Sequence, residues 1–389
     1  MKISEIIKNE SLRQELFPIV RNQVFFGHAG VCPLSGPAIK ALKDFGERSH
    51  LQHQEAGGMM EKMDEVRLSC AQLIGAKSEE IALLGPTALG LSLVANGFPW
   101  KEGDEVIFHG DDYPANVYPW LRLKDIGVKA ISILPERPGE VTWELIEPHL
   151  TERTRMVALA SAHYLTGYRI DVERIGKELH QREIRFCLDA IQTLGSIPTD
   201  VRYVDYLSAD SHKWLLGPMG AGIFYVKESR FNEIKPTLLG SWNVFSPEFI
   251  AQEKIDFYPG ARRYEPGSLN LPGNLAMQAS IQLLLDIGIS EVRDRLFELR
   301  RYIQSKLEDL GLEPYPVLWT EENAAGMMAL RLQNVDLPKL GSQLTESNLI
   351  ASYRENRSGE VFMRLSPHFY NTESEVDRFF AKISILLNG

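Results

Sequence analysis

Cysteine is scarce in this chain of 389 residues, which contains only Cys32, Cys70 and Cys187. The odd number and the lack of a CxxC spacing argue against a disulfide framework and a zinc site, so we expect buried thiols and no bound metal. No uninterrupted apolar run is long enough to span a bilayer. Residues 1–18 mix acidic and basic side chains with isolated apolar ones, which predicts an amphipathic helix rather than a secretion signal. We therefore expect a cytoplasmic protein.

Basic residues are also in the minority, since 42 lysines and arginines stand against 52 aspartates and glutamates, a net charge of -10. This balance disfavours general binding to nucleic acid or to anionic membranes and favours a small-molecule partner. The hydrophobic share of 44% and the charged share of 24% are typical of a folded globular protein. The length exceeds that of one typical hydrophobic core and predicts two lobes.

Short apolar runs alternate with amphipathic stretches between residues 80 and 225, a pattern typical of a parallel α/β sheet. The apolar runs predict strands at 105–108, 129–134, 156–160, 184–188 and 222–226, and residues 171–181 predict a helix capped by an aspartate. From about residue 275, a long helical pattern leads into alternating segments at 327–332 and 361–366. We predict a large domain over residues 20–285 and a small α+β domain from residues 1–19 and 286–389.

The most specific segment is residues 208–226, SADSHKWLLGPMGAGIFYV, in which Lys213 follows His212 and precedes a turn rich in glycine and proline. A lone lysine in a loop is usually an ordinary surface residue. Here the next three residues, Trp-Leu-Leu, are apolar and favour a partly desolvated amine. Desolvation lowers the pKa of a lysine and makes it a competent nucleophile toward a carbonyl.

Asp189 stands directly after the predicted strand 184–188, and Gln192 follows it three residues later. Alone, an aspartate at a strand end is as readily a helix cap. Beside a lysine that forms an imine with pyridoxal 5'-phosphate (PLP), a carboxylate has a defined task, because it keeps the pyridinium nitrogen protonated and the ring able to accept electrons. Gln192 would then donate toward the ring hydroxyl. Such residues should lie beyond the carboxyl ends of the strands.

The motif Asp189-x-x-Gln192, followed by Ser211-His212-Lys213 and glycines, resembles the core of the class V aminotransferases. The resembling branch includes cysteine desulfurases, selenocysteine lyases and isopenicillin N epimerase-like proteins, and the likeness runs from about residue 26 to 380. It implies the α/β fold of the fold type I PLP-dependent transferases, with a mainly parallel sheet between helices in the large domain. It also implies PLP on Lys213 and a homodimer with shared active sites.

Two further segments resemble the parts of the family that hold the cofactor. Residues 85–92 resemble the phosphate-binding turn, which implies that Thr87 and the backbone at Ala88 receive the phosphate at a helix N-terminus, although Thr87 could equally only cap that helix. Residues 112–120 resemble the segment whose aromatic side chain lies on the cofactor ring, here Tyr113, for which plain packing is the alternative. His212, near the ring, helps to hold the cofactor in this interpretation.

Three residues are implied to act at the substrate or across the dimer. Residues 263–270 resemble the loop that gives a hydroxyl, here that of Ser268, to the phosphate of the partner subunit. Residues 364–372 resemble the motif whose arginine, Arg364, binds the substrate carboxylate, although an isolated arginine is more often a surface charge. His28 stands where the family brings an N-terminal loop near the substrate, and a structural histidine is the alternative.

The sequence departs from the family at three places. Cysteine desulfurases carry a sulfur-accepting cysteine shortly before the C-terminal arginine, whereas residues 351–363 contain none. Asp210 replaces a phosphate-binding serine and would repel a phosphate, so we expect it to bond a neighbouring histidine or amide. Ala88 replaces a second threonine of the phosphate turn.

The resemblance implies that an amino acid or related amine displaces Lys213 to form an external aldimine while Arg364 anchors its carboxylate. Lys213 is then free to remove the α-proton. We expect β-elimination of the C–S lyase type without a catalytic cysteine. An aminotransferase or an epimerase remains an alternative. A non-catalytic binding scaffold is a remote one, against which Lys213, Asp189, Gln192 and Arg364 argue together.

Overall fold

The structure is a computed structural model that describes residues 1–315, 319–332 and 335–388. The helices are α1 Ile3–Lys8, α2 Glu10–Leu16, α3 Gly36–Leu51, α4 Met59–Ile74, α5 Thr87–Gly97, α6 Tyr118–Arg122, α7 Trp143–Ile146, α8 Val172–Gln181, α9 Leu271–Ile287, α10 Ile289–Asp309, α11 Leu337–Glu346 and α12 Glu373–Asn388. The strands are β1 Val24–Phe26, β2 Ile81–Leu84, β3 Glu105–His109, β4 Lys129–Ile133, β5 Thr154–Ala160, β6 Arg185–Asp189, β7 Tyr206–Asp210, β8 Gly222–Val226, β9 Pro314–Tyr315, β10 Met328–Leu330, β11 Leu349–Glu355 and β12 Val361–Leu365.

A seven-stranded sheet with the order β2-β8-β7-β6-β5-β3-β4 forms the centre of the molecule. The strands from β7 to β4 run parallel, and β8 is antiparallel to both β7 and β2. Because alternate strand residues point to opposite faces, Val106 belongs to the core that contains Leu91 of α5, and Ile107 to the core that contains Met277 of α9. Both faces are thus covered, which explains the continuous apolar runs in the strands.

The five predicted strands are all present, each within two residues of the predicted bounds. The predicted helix is α8, and its capping residue Asp171 accepts a hydrogen bond from the Arg174 N–H at 2.9 Å. Strands β2 and β7 were not predicted. The polar side chains of Ser208 and Asp210 interrupt the apolar pattern of β7, yet both are buried: Ser208 donates to the Thr87 carbonyl at the start of α5, and Asp210 accepts from the Gly220 N–H.

The second sheet has the order β1-β11-β12-β10-β9 and contains a parallel pair, β1 with β11, among antiparallel pairs. Helices α10, α11 and α12 share a separate core with this sheet. Strand β1 follows the predicted boundary at residue 20, so its pairing takes residues 24–26 out of the predicted large domain and into the smaller sheet. Three residues of extended chain were too short a pattern to assign from sequence.

The N-terminal segment is two helices rather than the single predicted one. Asn9 has an extended backbone conformation between α1 and α2, and its side chain accepts a hydrogen bond from the Leu12 N–H at 3.1 Å. Asparagine competes with helical backbone bonding in this way and favours a new helix start.

Within the described residues, no single helix is long and apolar enough to cross a membrane. Helices α9 and α10 meet that length and composition only as a pair, and the chain bends by 80° between them.

Candidate active site

A cavity of about 270 Å³ opens at the carboxyl ends of the central parallel strands. Asp189 ends β6, Lys213 follows β7 by three residues, and Thr87 begins α5 directly after β2. The parallel direction of β2, β6 and β7 therefore carries these three residues to one edge of the sheet. The cavity is lined by Ala29, Gly30, Val31, Pro86, Thr87, Ala88, Tyr113, Ala115, Tyr164, Asp189, Ile191, Gln192, His212, Lys213, Arg354 and Arg364.

Lys213 is buried at the centre of this lining, with only 8% of its surface exposed. Burial, and after it the positive charge of Arg364, lowers the pKa of the Lys213 amine to about 8. Its Nζ lies 5.6 Å from the centre of the Tyr113 ring. The turn behind it is tight: Leu216 adopts a left-handed φ of 57° and donates its N–H to the Lys213 carbonyl at 3.2 Å. Lys213 is thus a largely desolvated amine on a constrained loop.

Asp189 and Gln192 are buried residues that line the cavity. Burial raises the pKa of Asp189 to about 6, and its Oδ1 accepts a hydrogen bond from the Ile191 N–H at 3.0 Å. A cation beside this carboxylate would offset its desolvation. The Gln192 amide donates to the Ala29 carbonyl and accepts from the Trp214 indole, each at 3.2 Å, which orients the side chain and leaves one amide proton for a ligand.

The N-terminus of α5 also lines the cavity, through Thr87 and Ala88. The Thr87 hydroxyl accepts a hydrogen bond from the Asp210 N–H at 3.0 Å, so its own proton is available to a ligand. The Asp210 carboxylate is turned away, as expected, because it accepts from the Gly220 N–H at 3.1 Å and lies 3.1 Å from Nδ1 of His212. That imidazole is not aligned for a hydrogen bond with it. Free backbone N–H groups and a hydroxyl at a helix N-terminus favour an anion here.

Arg364 is almost fully buried, with 1% of its surface exposed, and it pairs with no carboxylate among the described residues. Its Nε donates to the Ser352 hydroxyl at 3.0 Å and its Nη1 to the Tyr164 carbonyl, whereas its Nη2 has no partner. Burial, and then the charge of Arg354, lowers its pKa to about 9. A buried guanidinium without a counter-ion is unfavourable until an anionic ligand binds it.

Two predicted residues lie outside the cavity. His28 is fully buried, with Nδ1 2.9 Å from the Ser366 carbonyl and Nε2 2.8 Å from the Tyr370 hydroxyl. Both ring nitrogens are thus occupied by structural bonds, and His28 is not among the residues that line the cavity. Ser268 lines a separate hollow of about 300 Å³, beside Gly85, and does not reach the Lys213 cavity of its own chain.

Three residues at this site were not assigned from the sequence. Tyr164 and Arg354 line the cavity, and Asp112 is not among the lining residues. Asp112 is buried after β3 and accepts a hydrogen bond from the Tyr113 N–H at 2.7 Å, and burial followed by the charge of Asp189 raises its pKa to about 7. Tyr164 packs edge-on against Tyr113 with ring centres 5.6 Å apart. Arg354 lies on β11. The rule that sites follow strand ends could have found Asp112 and Tyr164, but Arg354 has no such signal.

A larger hollow of about 560 Å³ lies elsewhere and is lined by residues such as Tyr168, Asp171 and Asp200. None of the residues predicted for the site lines it. The described residues contain no cluster of three or more His, Cys, Asp or Glu placed to hold a metal ion.

The cavity thus brings together a buried amine, a buried carboxylate, the N-terminus of a helix and a buried arginine. Residues 35–379 match the aminotransferase class-V family. The chain belongs to that family, is an enzyme and depends on PLP.

Two relatives resemble almost the whole chain in sequence. A probable cysteine desulfurase of Methanothermobacter thermautotrophicus is 25% identical over 95% of this chain and 96% of the relative. The isopenicillin N epimerase of Streptomyces clavuligerus is 27% identical over 89% of this chain and 90% of the relative. The relatives thus have names that differ in the reaction they describe.

Solved structures share the fold of the chain. The apo cysteine desulfurase of Thermococcus onnurineus superposes with a TM-score of 0.90 at 22% identity, covering 100% of this chain and 99% of its own. The cystine C–S lyase C-DES, in complex with its product cysteine persulfide, gives a TM-score of 0.85 at 19% identity over 95% and 99% of the two chains. A mutant of C-DES holds glycine covalently linked to its PLP cofactor. These likenesses show that the fold is that of PLP-dependent enzymes, as predicted.

The residues present fit PLP by the chemistry of their donors. The α5 terminus and the Thr87 hydroxyl suit its phosphate, the Asp189 carboxylate suits its ring nitrogen, and the Lys213 amine lines the same cavity. Tyr113, which is 47% exposed at the mouth, offers an aromatic face to its ring.

Proposed function

We propose that the chain is a lyase that cleaves the bond between the β carbon and a sulfur atom of an amino acid, without a cysteine of its own. The observation that supports this is the absence of cysteine from residues 351–363, which lead to Arg364. Cys32, Cys70 and Cys187 are buried, and none is among the residues that line the described cavity. Burial raises the pKa of Cys32 and Cys70 to about 12, so at neutral pH they stay protonated and are poor sulfur acceptors.

Arg364 and Lys213 handle the substrate in this proposal. The unpartnered Nη2 of Arg364 binds the α-carboxylate, and the bonds of its other nitrogens to Ser352 and Tyr164 hold it in place. The Lys213 amine, with its pKa near 8, removes the α-proton because a substantial fraction is neutral near physiological pH.

Thr87, Ala88, Asp189, Gln192, Tyr113 and His212 hold the cofactor in this proposal. When bound, PLP supplies an electron sink for the negative charge that develops at the α carbon. Asp189 keeps a proton at the ring nitrogen. When PLP is bound, the Gln192 amide would donate toward its ring hydroxyl, and the Tyr113 side chain would pack on its ring.

The cofactor attachment is tested with Lys213→Ala. The parent protein should be yellow, and borohydride should abolish its visible band and leave a cofactor adduct on the peptide that contains Lys213. The variant should give no adduct at that peptide. Lys227→Ala is a matched control, since that lysine is bonded to the Arg202 carbonyl outside the cavity. An adduct on another lysine of the parent protein would contradict the assignment.

The reaction type is tested by product analysis with L-cystine and with S-substituted cysteines. Elimination uses one water and yields pyruvate, ammonia and the sulfur leaving group. Stoichiometric keto acid with the amine form of the cofactor would instead indicate an aminotransferase, and loss of optical activity without new products an epimerase. Either result would refute the lyase proposal.

We also propose that the chain acts as a cytoplasmic homodimer that binds neither nucleic acid nor membranes. The position of Ser268 outside the Lys213 cavity of its own chain supports the homodimer, because its hydroxyl remains available to a second copy. The preceding loop exposes apolar side chains that a second copy would cover, namely Leu239, Phe245 and Phe249. If Ser268 acts across the interface, mixing inactive Lys213→Ala and Ser268→Ala chains should regenerate one intact site. A monomer by light scattering would refute the dimer.

A further inference from the structure

The cavity contains a second arginine, Arg354, that the proposed reaction leaves without a task. Arg354 lies on β11, two residues after Ser352, so the two side chains point to the same face of the strand. Ser352 accepts the Nε–H of Arg364 at 3.0 Å, which shows that this face is the one turned to the cavity. The strand register is consistent with this contact, since Ser352 of β11 pairs with Arg364 of β12.

The two guanidinium groups approach the same space beside Gly30. A Cβ atom on Gly30 would lie 3.5 Å from Nη2 of Arg354 and 3.7 Å from Nη2 of Arg364. Arg354 is half-buried, and its Nη1 is held by the carbonyl of Tyr353 at 2.7 Å. Its Nη2 is thereby directed toward the position where Gly30 has no side chain.

The charges of the lining do not balance around these arginines. Lys213, Arg354 and Arg364 are cationic groups, and Asp189 is the carboxylate among the lining residues. Among the described residues, neither arginine forms an ion pair with a carboxylate. The positive charge of each arginine lowers the pKa of Lys213, so both charges act within the same cavity. In the proposed function the α5 terminus binds the cofactor phosphate and Arg364 binds the substrate α-carboxylate. No anionic group of cofactor or substrate is then assigned to Arg354.

We propose that the substrate carries a second anionic group on its side chain, a carboxylate or an equivalent acid, and that Arg354 binds it. This inference rests on the proposed function, since it adds a specificity-determining residue to that site. The substrate class is then an acidic amino acid or an acidic thioether or disulfide of cysteine. A guanidinium suits the task because its planar donors match a carboxylate.

The test compares two amino acids of the same shape that differ in one charge. The holoenzyme is given S-carboxymethyl-L-cysteine or its amide, S-carbamoylmethyl-L-cysteine, and pyruvate release is followed as kcat/KM. L-Glutamate and L-glutamine are compared in parallel as ligands, through the change they cause in the visible spectrum of the bound cofactor. The parent enzyme should prefer the acid over the amide in both pairs by about tenfold, the usual size of a charged hydrogen bond.

The variant Arg354→Gln should lose this preference, so that the acid-to-amide ratio of kcat/KM falls to about one. Arg357→Gln is the matched control, since the Arg357 guanidinium is exposed and bonded to Asp111 at 3.0 Å, and it should keep the parent ratio. An equal loss for acid and amide in Arg354→Gln would overturn the inference, because both arginines would then clamp a single α-carboxylate.

If the parent enzyme reacts equally with both members of each pair, the inference about Arg354 is overturned. The lyase proposal would still stand in that case. If a yellow holoenzyme neither changes its spectrum nor forms pyruvate with any of the four amino acids, the proposed function and this inference both fail. Retention of the cofactor band in each variant separates these outcomes from a loss of folding.

Discussion

The lowered pKa of Lys213 predicts how fast the cofactor-free protein captures PLP. Only the neutral amine attacks the aldehyde. With a pKa of about 8, roughly one amine in ten is neutral at pH 7, whereas with the ordinary lysine pKa of 10.5 roughly one in three thousand is. The cavity therefore raises the reactive fraction by about 300-fold. Burial is the larger cause and the charge of Arg364 is the second.

The perturbation is Arg364→Gln, which removes a like charge from the neighbourhood of Lys213. Removing a nearby like charge shifts a pKa by about one unit, so the pKa of Lys213 should rise and the capture rate at pH 7 should fall about tenfold. Above the raised pKa the two proteins should react at similar rates, because the amine is then neutral in both. The sign follows from the cationic form of lysine, which a neighbouring cation destabilises.

The assay is stopped-flow absorbance of the cofactor-free protein mixed with excess PLP over pH 6 to 11. The log of the rate should rise with unit slope and level off near pH 8 in the parent and at higher pH in Arg364→Gln. Arg357→Gln serves as the control with an unshifted profile. A parent midpoint near 10.5, or identical midpoints in the parent and Arg364→Gln, would refute the electrostatic reasoning.

Three substitutions away from the reacting groups have simpler expected outcomes. Arg13→Met breaks a buried ion pair with Glu375 and should lower the free energy of unfolding by about 3–5 kcal/mol, whereas exposed Glu10→Gln should change it by less than about 1 kcal/mol in chemical denaturation. His28→Asn should lower the melting temperature but leave KM within about twofold, and a much larger rise in KM would restore a substrate role for His28. Glu183→Gly relieves a left-handed φ of 57° at an exposed position and should not lower the melting temperature; a clear decrease would show that the backbone there is unstrained.

Much of the site could be predicted because its residues sit in local patterns. Asp189 and Lys213 each stand at or just after the end of a short strand, and Thr87 begins a helix. A few consecutive residues are therefore enough to recognise each of these positions. The absence of cysteine from residues 351–363 is likewise a fact of sequence. Parallel strands place their ends at one edge, and this alone makes the separate segments one predicted site.

His28 and Arg354 could not be assigned in the same way. His28 lies in the expected loop, but contacts with Ser366 and Tyr370, more than 330 residues away in the chain, turn its ring into the core. In the sequence, Arg354 is typical of an ordinary charged residue in a strand of alternating apolar and polar residues. Its place in the cavity depends on the pairing of β11 with β12 and on the missing side chain of Gly30.

The sequence by itself determined the α/β class and the family, because these depend on periodicity and short motifs. The tertiary structure decided which charges share the cavity, which are neutralised elsewhere and which strand joins which sheet. Those properties arise from burial and from contacts between distant segments, and burial is what lowers the pKa of Lys213 and leaves Arg364 without a counter-ion.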